Sequence, residues 1–490
     1  MLDRRRHVKC DEAKPGCKRC LKWQGSCQGY TSEAFAPGEG RPVASGVYPP
    51  IPKPDETQWE DIYFGHWSVL SATLGGGLFP SLLFNETVPQ LSQIEPAVRY
   101  AVIAIGALAN FKAPNILPGA STSHSPEAKK LHYNNAIAYY GHALGLVRIQ
   151  QDVCSDYTLR VAVICCVLFA AFEALYDSCD AALNHINHGL MMIDQIMCAA
   201  QQNTGDDAMH SPLLAQQPLP SPRDGDGSPT AFALILDDEI LQMFQRLEYI
   251  SFGLSLLVGL PQPPRTYLRL SDEFDLSRPF ADLIQARRCL DQFQHACLRA
   301  VIPANSGDSN PESPLLPLLA PLEEWLAAFL PLAEQHLTPQ RDGGDRTLAY
   351  YQAVSLLLQY HMAHVSLTLT SLLPYGDGAK TNPALDRLTP HYEEMVRLSE
   401  TLMACQPREA GSVETQYLCG ARARKRQDKV FTMDHAPAMA VLMAAMSCSD
   451  ANVRADAHAL LARYPQRDGF WDCSRVMSCV RFGCVVSPGC

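Results

Sequence analysis

Four cysteines near the front of the chain, Cys10, Cys17, Cys20 and Cys27, stand at the spacing C-x6-C-x2-C-x6-C within KCDEAKPGCKRCLKWQGSCQGY. Cysteines of an ordinary core fall among apolar residues, whereas these four lie in a Lys- and Gly-rich run with no apolar face to bury. Thiolates gathered in a polar segment need a cation, and tetrahedral zinc with sulfur ligands meets that need. The same segment is basic: Arg4, Arg5, Arg6, Lys9, Lys14, Lys18, Arg19 and Lys22 stand against Asp3, Asp11 and Glu12, a local charge of +5. The whole chain carries −11, which leaves −16 for the remainder. A small phosphate-binding head on an acidic body has this asymmetry.

At these residues the chain resembles the fungal zinc binuclear cluster transcription factors, whose pattern is C-x2-C-x6-C, a loop, then C-x2-C-x6-C. Cys10, Cys17, Cys20 and Cys27 align with the third to sixth cysteines, RRRHVK fills the gap before the third, and Pro15 falls in the loop. The second cysteine of the pattern falls on Asp3, and the first falls ahead of Met1. In the family the first and fourth cysteines bridge both metals, so one metal is left with two obvious sulfurs here, while the four cysteines present can close one four-sulfur site. Two readings stay open: the written start lies downstream of the natural one, or the two-metal cluster has been lost. The first is favoured, because the rest of the motif keeps the residue types the cluster needs.

The resemblance implies zinc as cofactor, with Cys10, Cys17, Cys20 and Cys27 as ligands, and promoter DNA as partner. It also implies a short metal-held helix carrying the basic residues before the third cysteine into the major groove, where a CGG-type triplet is read. Lys9 is then the residue expected at the guanine edge, since ammonium donors suit O6 and N7. Arg4, Arg5, Arg6, Lys18 and Arg19 are expected on phosphates, where contacts position without specifying.

Composition describes the rest. A chain of 490 residues, 47% hydrophobic, can bury one large core or two smaller ones. Its basic start lacks the apolar segment of a signal peptide, so the eighteen cysteines read as thiols of a reducing compartment. The most apolar run, residues 161–172, is too short to cross a bilayer and reads as a buried helix; no membrane partner is expected.

The order of segments is a cysteine-rich module at 1–30, a Gly/Pro/Ser linker at 31–54, a helical body at 55–472 and an irregular tail at 473–490. The linker holds no heptads, so the coiled-coil dimer element common after such clusters is missing there; oligomeric state stays open. In the body, apolar residues recur at three- and four-residue spacing and strand-like alternation is scarce, which makes the fold class all-α. Helices are expected at 96–111, 125–150, 156–176, 180–200, 231–256, 281–301, 321–335, 346–373, 385–405, 429–447 and 450–464. Residues 201–230 are too rich in Gly, Pro and charge to order themselves and read as a disordered insertion, with a second at 303–314.

The body resembles the fungal-specific transcription factor regulatory domain, through EPAVRYAVIAIGAL from Glu95, FE at Phe172, HINHGL from His185 and VRADAHALLARYPQRDGFWD from Val453. The whole chain is thus read as a nuclear, sequence-specific DNA-binding regulator of RNA polymerase II transcription, not an enzyme, whose body meets the transcription machinery or a co-regulator. The alternative is a helical interaction or ligand-sensing protein that has lost DNA binding.

Other constellations favour plainer roles. The pairs His185/His188 and His361/His364 have i, i+3 spacing but no HExxH context, so packed or surface positions are expected. Gly75, Gly76 and Gly77 lack a phosphate-loop frame and read as a loop. The basic cluster Arg422, Arg424, Lys425 and Arg426 fits a nuclear-import signal or a solvated loop equally well. The tail cysteines Cys473, Cys479, Cys484 and Cys490 match no zinc spacing.

Overall fold

In a computed structural model of the protein, the described residues are 2–3, 8–9, 57–74, 78–79, 81–112, 126–150, 156–205, 238–258, 276, 279–304, 316–338, 346–372, 385–404, 431–433, 437–464, 467–468 and 471–472. The chain divides into two units, Met1–Tyr48 and Pro49–Cys490. In the first, the described backbone is a two-residue antiparallel pair, β1 (Leu2–Asp3) with β2 (Val8–Lys9).

The second unit is built of helices. The first is α1 (Thr57–Leu74), in the stretch where helical periodicity begins at Trp59. Tyr63, Trp67, Leu70 and Leu74 form its buried stripe, at the spacing that brings side chains to one helix face. A single π-helical turn (Leu83–Thr87) runs into α2 (Val88–Ile94) and then α3 (Pro96–Lys112). Pro96 is the first residue of α3, where a missing N–H costs nothing. α3 is buried on nearly every side, because α1, α2, α4 (Pro126–Gln150) and α5 (Asp156–Tyr176) all pack on it. Gly106 makes the α1 contact possible: a Cβ there would lie 1.9 Å from the Tyr63 carbonyl oxygen.

Helix α5 forms a hairpin with α6 (Cys179–Gly205). Its apolar character extends beyond residues 161–172, and Tyr157–Tyr176 is long and apolar enough to cross a membrane by length. The expectation that this stretch is too short is therefore corrected, while its burial is confirmed, since 78% of that window lies inside the fold. α6 continues through Gly205, five residues into the stretch expected to lack order. Residues 206–230 of that insertion, the linker and the tail lie outside the described residues.

Next come α7 (Asp238–Val258), α8 (Leu283–Ala304), α9 (Leu319–Leu337) and α10 (Leu348–Leu372). α8 runs through Pro303 to Ala304, two residues into the second stretch expected to lack order, and residues 305–314 of that stretch lie outside the described residues. α10 carries two apolar stripes. Val354, Leu358, Met362 and Val365 join the main core, while Ala353, Leu356, Tyr360, Ala363 and Leu367 join a second core shared with α8 and α9. Trp325 centres that second core and donates its indole N–H to the Ala286 carbonyl at 3.0 Å.

The chain closes with α11 (Thr389–Met403), β3 (Phe431–Thr432), α12 (Pro437–Ser447), α13 (Ala451–Arg463), β4 (Arg467–Asp468) and β5 (Trp471–Asp472). A helix over 429–447 was expected, yet 431–432 is a strand and the helix starts at Pro437, whose fixed φ and missing N–H suit a first position. β3 pairs parallel with β4, and β4 antiparallel with β5. The Met433 N–H donates to the Leu74 carbonyl at 3.0 Å, so the closing segment satisfies an orphan carbonyl at the end of α1.

Candidate nucleic-acid interface

The segment that carries the cysteines and the basic residues enters the described structure only at its front. Lys9 lies in β2, its backbone paired with Leu2, and Asp3 is paired with Val8. Cys10, Cys17, Cys20 and Cys27, with Arg4, Arg5, Arg6, Lys18 and Arg19, lie outside the described residues. The backbone at Val8–Lys9 is thus extended, where the resemblance implied a short helix. A helix of that length does not hold itself together in water and depends on metal–thiolate bonds at both ends. On the upstream side this sequence offers Asp3 in place of a thiol.

The donor set can be tested by its chemistry. Four thiolates complete one tetrahedral zinc site with no other ligand, so Cys10, Cys17, Cys20 and Cys27 fit a single zinc ion. They do not fit two, because two four-coordinate metals sharing bridging sulfurs require six.

In the body, the histidine pairs resolve into two different surroundings. His185 lies in an aromatic cluster: the Tyr140 hydroxyl is 3.0 Å from its Nε2, and Tyr140 stacks on Phe172 at 4.1 Å. The same hydroxyl donates to Glu173 at 2.6 Å. Burial holds His185 down at about 4 and pushes the Glu173 carboxyl up, so this contact between α4, α5 and α6 is made by neutral imidazole. His361 and His364 meet a third histidine, His391, from α11. Among the described residues no three His, Cys, Asp or Glu side chains are disposed to hold a metal ion. His391 escaped the sequence reading because it belongs to no local pattern.

Charge is also buried at places that carry little local signal. Between α7 and α8, Arg246 donates to Asp291 at 3.1 Å, and Glu248 lies 3.1 Å from His295 Nε2, all with side chains at most 7% exposed. A local trace of it is the i, i+4 pair Arg287/Asp291, 3.9 Å apart.

Comparison with known proteins bears on the front of the chain. Residues 4–34 match the model of the fungal Zn(2)-Cys(6) binuclear cluster domain. The chain is 25% identical over 205 residues to a protein named transcription regulator lscL of Purpureocillium lilacinum, covering 39% of this chain and 47% of that one. It is 29% identical over 125 residues to an uncharacterized transcriptional regulatory protein of Schizosaccharomyces pombe, covering 21% of this chain and 22% of the relative. The chain thus spans less than half the length of these relatives. No solved structure matches it. A basic, four-thiol segment at the front of an all-α body is, on these grounds, a domain of the fungal Zn(2)-Cys(6) binuclear cluster family, whose members bind zinc.

Proposed function

We propose that the protein is a nuclear, sequence-specific DNA-binding regulator of RNA polymerase II transcription and not an enzyme. The single observation that carries this reading is the match of residues 4–34 to a zinc cluster domain in the segment where the basic charge is concentrated. Zinc, when bound, supplies the cross-link that a segment this short cannot obtain from an apolar core. Cys10, Cys17, Cys20 and Cys27 would hold it. Arg4, Arg5, Arg6, Lys18 and Arg19 neutralise phosphates, and Lys9 reads the guanine edge of a CGG-like triplet. The helical body serves as the fungal transcription factor regulatory domain and meets the transcription machinery or a co-regulator. Relatives named as transcription regulators support this reading.

A second reading, a helical interaction or ligand-sensing protein without DNA binding, is favoured by one observation. Asp3 stands in the register of the family's second cysteine, and the backbone beside it is extended.

Substitution separates base reading from phosphate binding. Lys9→Ala should lose roughly 1–3 kcal/mol on a CGG duplex and flatten the preference for it. Arg5→Ala should weaken binding alike on matched and scrambled duplexes and reduce the salt slope by about one. Titrations at several salt concentrations check both. Equal binding of the unsubstituted chain to the two duplexes favours the second reading.

A further inference from the structure

Three histidines and two carboxylates meet where α11 docks on α10. His361 Nδ1 and His391 Nδ1 lie 3.0 Å apart, and His391 stacks on His364 with ring centroids 3.9 Å apart and planes 13° from parallel. On the far side, His364 Nε2 lies 3.6 Å from Glu323 of α9, which also accepts from the Tyr360 hydroxyl at 2.8 Å. Glu394 of α11 is held by Arg397 at 2.6 Å. These are the charged groups that face the three rings; among the described residues none from α8 or α12, which also pack on α10, acts on them.

A bond between two Nδ1 atoms requires one ring to donate and the other to accept, so it exists only while at least one of the two is neutral. Protonating both turns each Nδ1 into a donor and sets two cations against each other. The stacked His364 adds a third. The available counter-charge is small: Glu323 faces His364, and Glu394 is already engaged by Arg397. A shared metal is the less suitable occupant, because the ring lone pairs of the stacked His364 and His391 lie in separate, nearly parallel planes, and no three His, Cys, Asp or Glu side chains among the described residues are disposed to hold an ion.

From this geometry we propose that the docking of α11 on α10 is an acid-sensitive latch, closed when His361, His364 and His391 are neutral and released when they take up protons. Burial, reinforced by neighbouring imidazoles, lowers His361 and His391 to about 4, and burial lowers His364 as well. Depressed folded-state values mean that the docked form resists protonation. The latch is therefore fully closed above about pH 6.5, the ordinary imidazole value, and opens as pH falls toward about 4. α11 also packs against α12 and α13, so its release loosens the attachment of the last helices to α10, leaving the direct contact of α12.

Hydrogen exchange of the full chain tests this. Exchange in α11, corrected for intrinsic rate, is compared with that in the core helix α5 at pH 7.5 and 5.5, in the natural chain and in His391→Asn, whose amide occupies the Nδ1 position without titrating. In the natural chain, opening of α11 should rise about tenfold for each of His361 and His391 between these pH values, while α5 stays protected. The substitution should remove about one of those factors of ten. Equal opening of α11 and α5 at pH 5.5, or an unchanged α11 response in His391→Asn, would overturn the latch. If the variant does not fold, the comparison of α11 with α5 in the natural chain decides alone.

Discussion

Asp177 is the described non-glycine residue with positive φ, at 81°. It stands between α5 and α6, where the Ser178 N–H donates to the Glu173 carbonyl at 2.8 Å and the Asp177 N–H to Ala174 at 3.2 Å. That is the Schellman pattern, which places Asp177 at the position glycine usually fills. Aspartate tolerates the left-handed region better than most residues, and here its carboxylate also pairs with Lys112 of α3. Asp177→Ala should therefore cost about 1 kcal/mol in denaturant unfolding, from backbone strain, while Asp177→Gly should be neutral or stabilising. Equal destabilisation by the two would assign the role to the Lys112 pair instead. None of this was legible in YDSCD, because the residue gives no glycine signal. By contrast, a zinc cluster domain at the front of the chain was legible at once, since thiols gathered in a polar run have no core to fill and suit a bound cation.

At the scale of elements, legibility followed the locality of the cause. Residues 156–176 and 346–373 came out within two residues of α5 and α10, because an acidic or charged start precedes a long apolar period that the buried faces then obey. α7 is described from Asp238, where Asp237 and Asp238 favour an N-terminus, and residues 231–237 of the expected helix lie outside the described residues. Partners across elements were invisible: His391 meets His361 over thirty positions, and Asp291 meets Arg246 over forty-five. The second pair fixes α7 against α8 with an Asp291 side chain 1% exposed. Asp291→Ala should destabilise the fold by about 3–5 kcal/mol, because it leaves Arg246 buried without its carboxylate. A loss below about 1 kcal/mol in urea unfolding would show that the interior supplies another counter-charge.

For the molecule as a whole, the all-α architecture was foreseeable from period and composition, and so was room for two cores, which α10 joins by presenting a stripe to each. The return of the chain to α1 through Met433 and the β3–β4–β5 sheet was not, because two-residue strands leave no alternation to read. The division of labour between a basic zinc-binding front and an acidic helical body rests on charge and on the domain match, and it yields one decisive experiment. Binding of the full chain to matched CGG and scrambled duplexes should be measured with zinc quantified in the same sample, before and after chelation. The account predicts one zinc per chain, preference for the matched duplex, and loss of that preference when the metal is stripped. Two zinc ions per chain would contradict the four-thiol site, and equal binding to the two duplexes, unchanged by the chelator, would contradict zinc-dependent DNA reading itself.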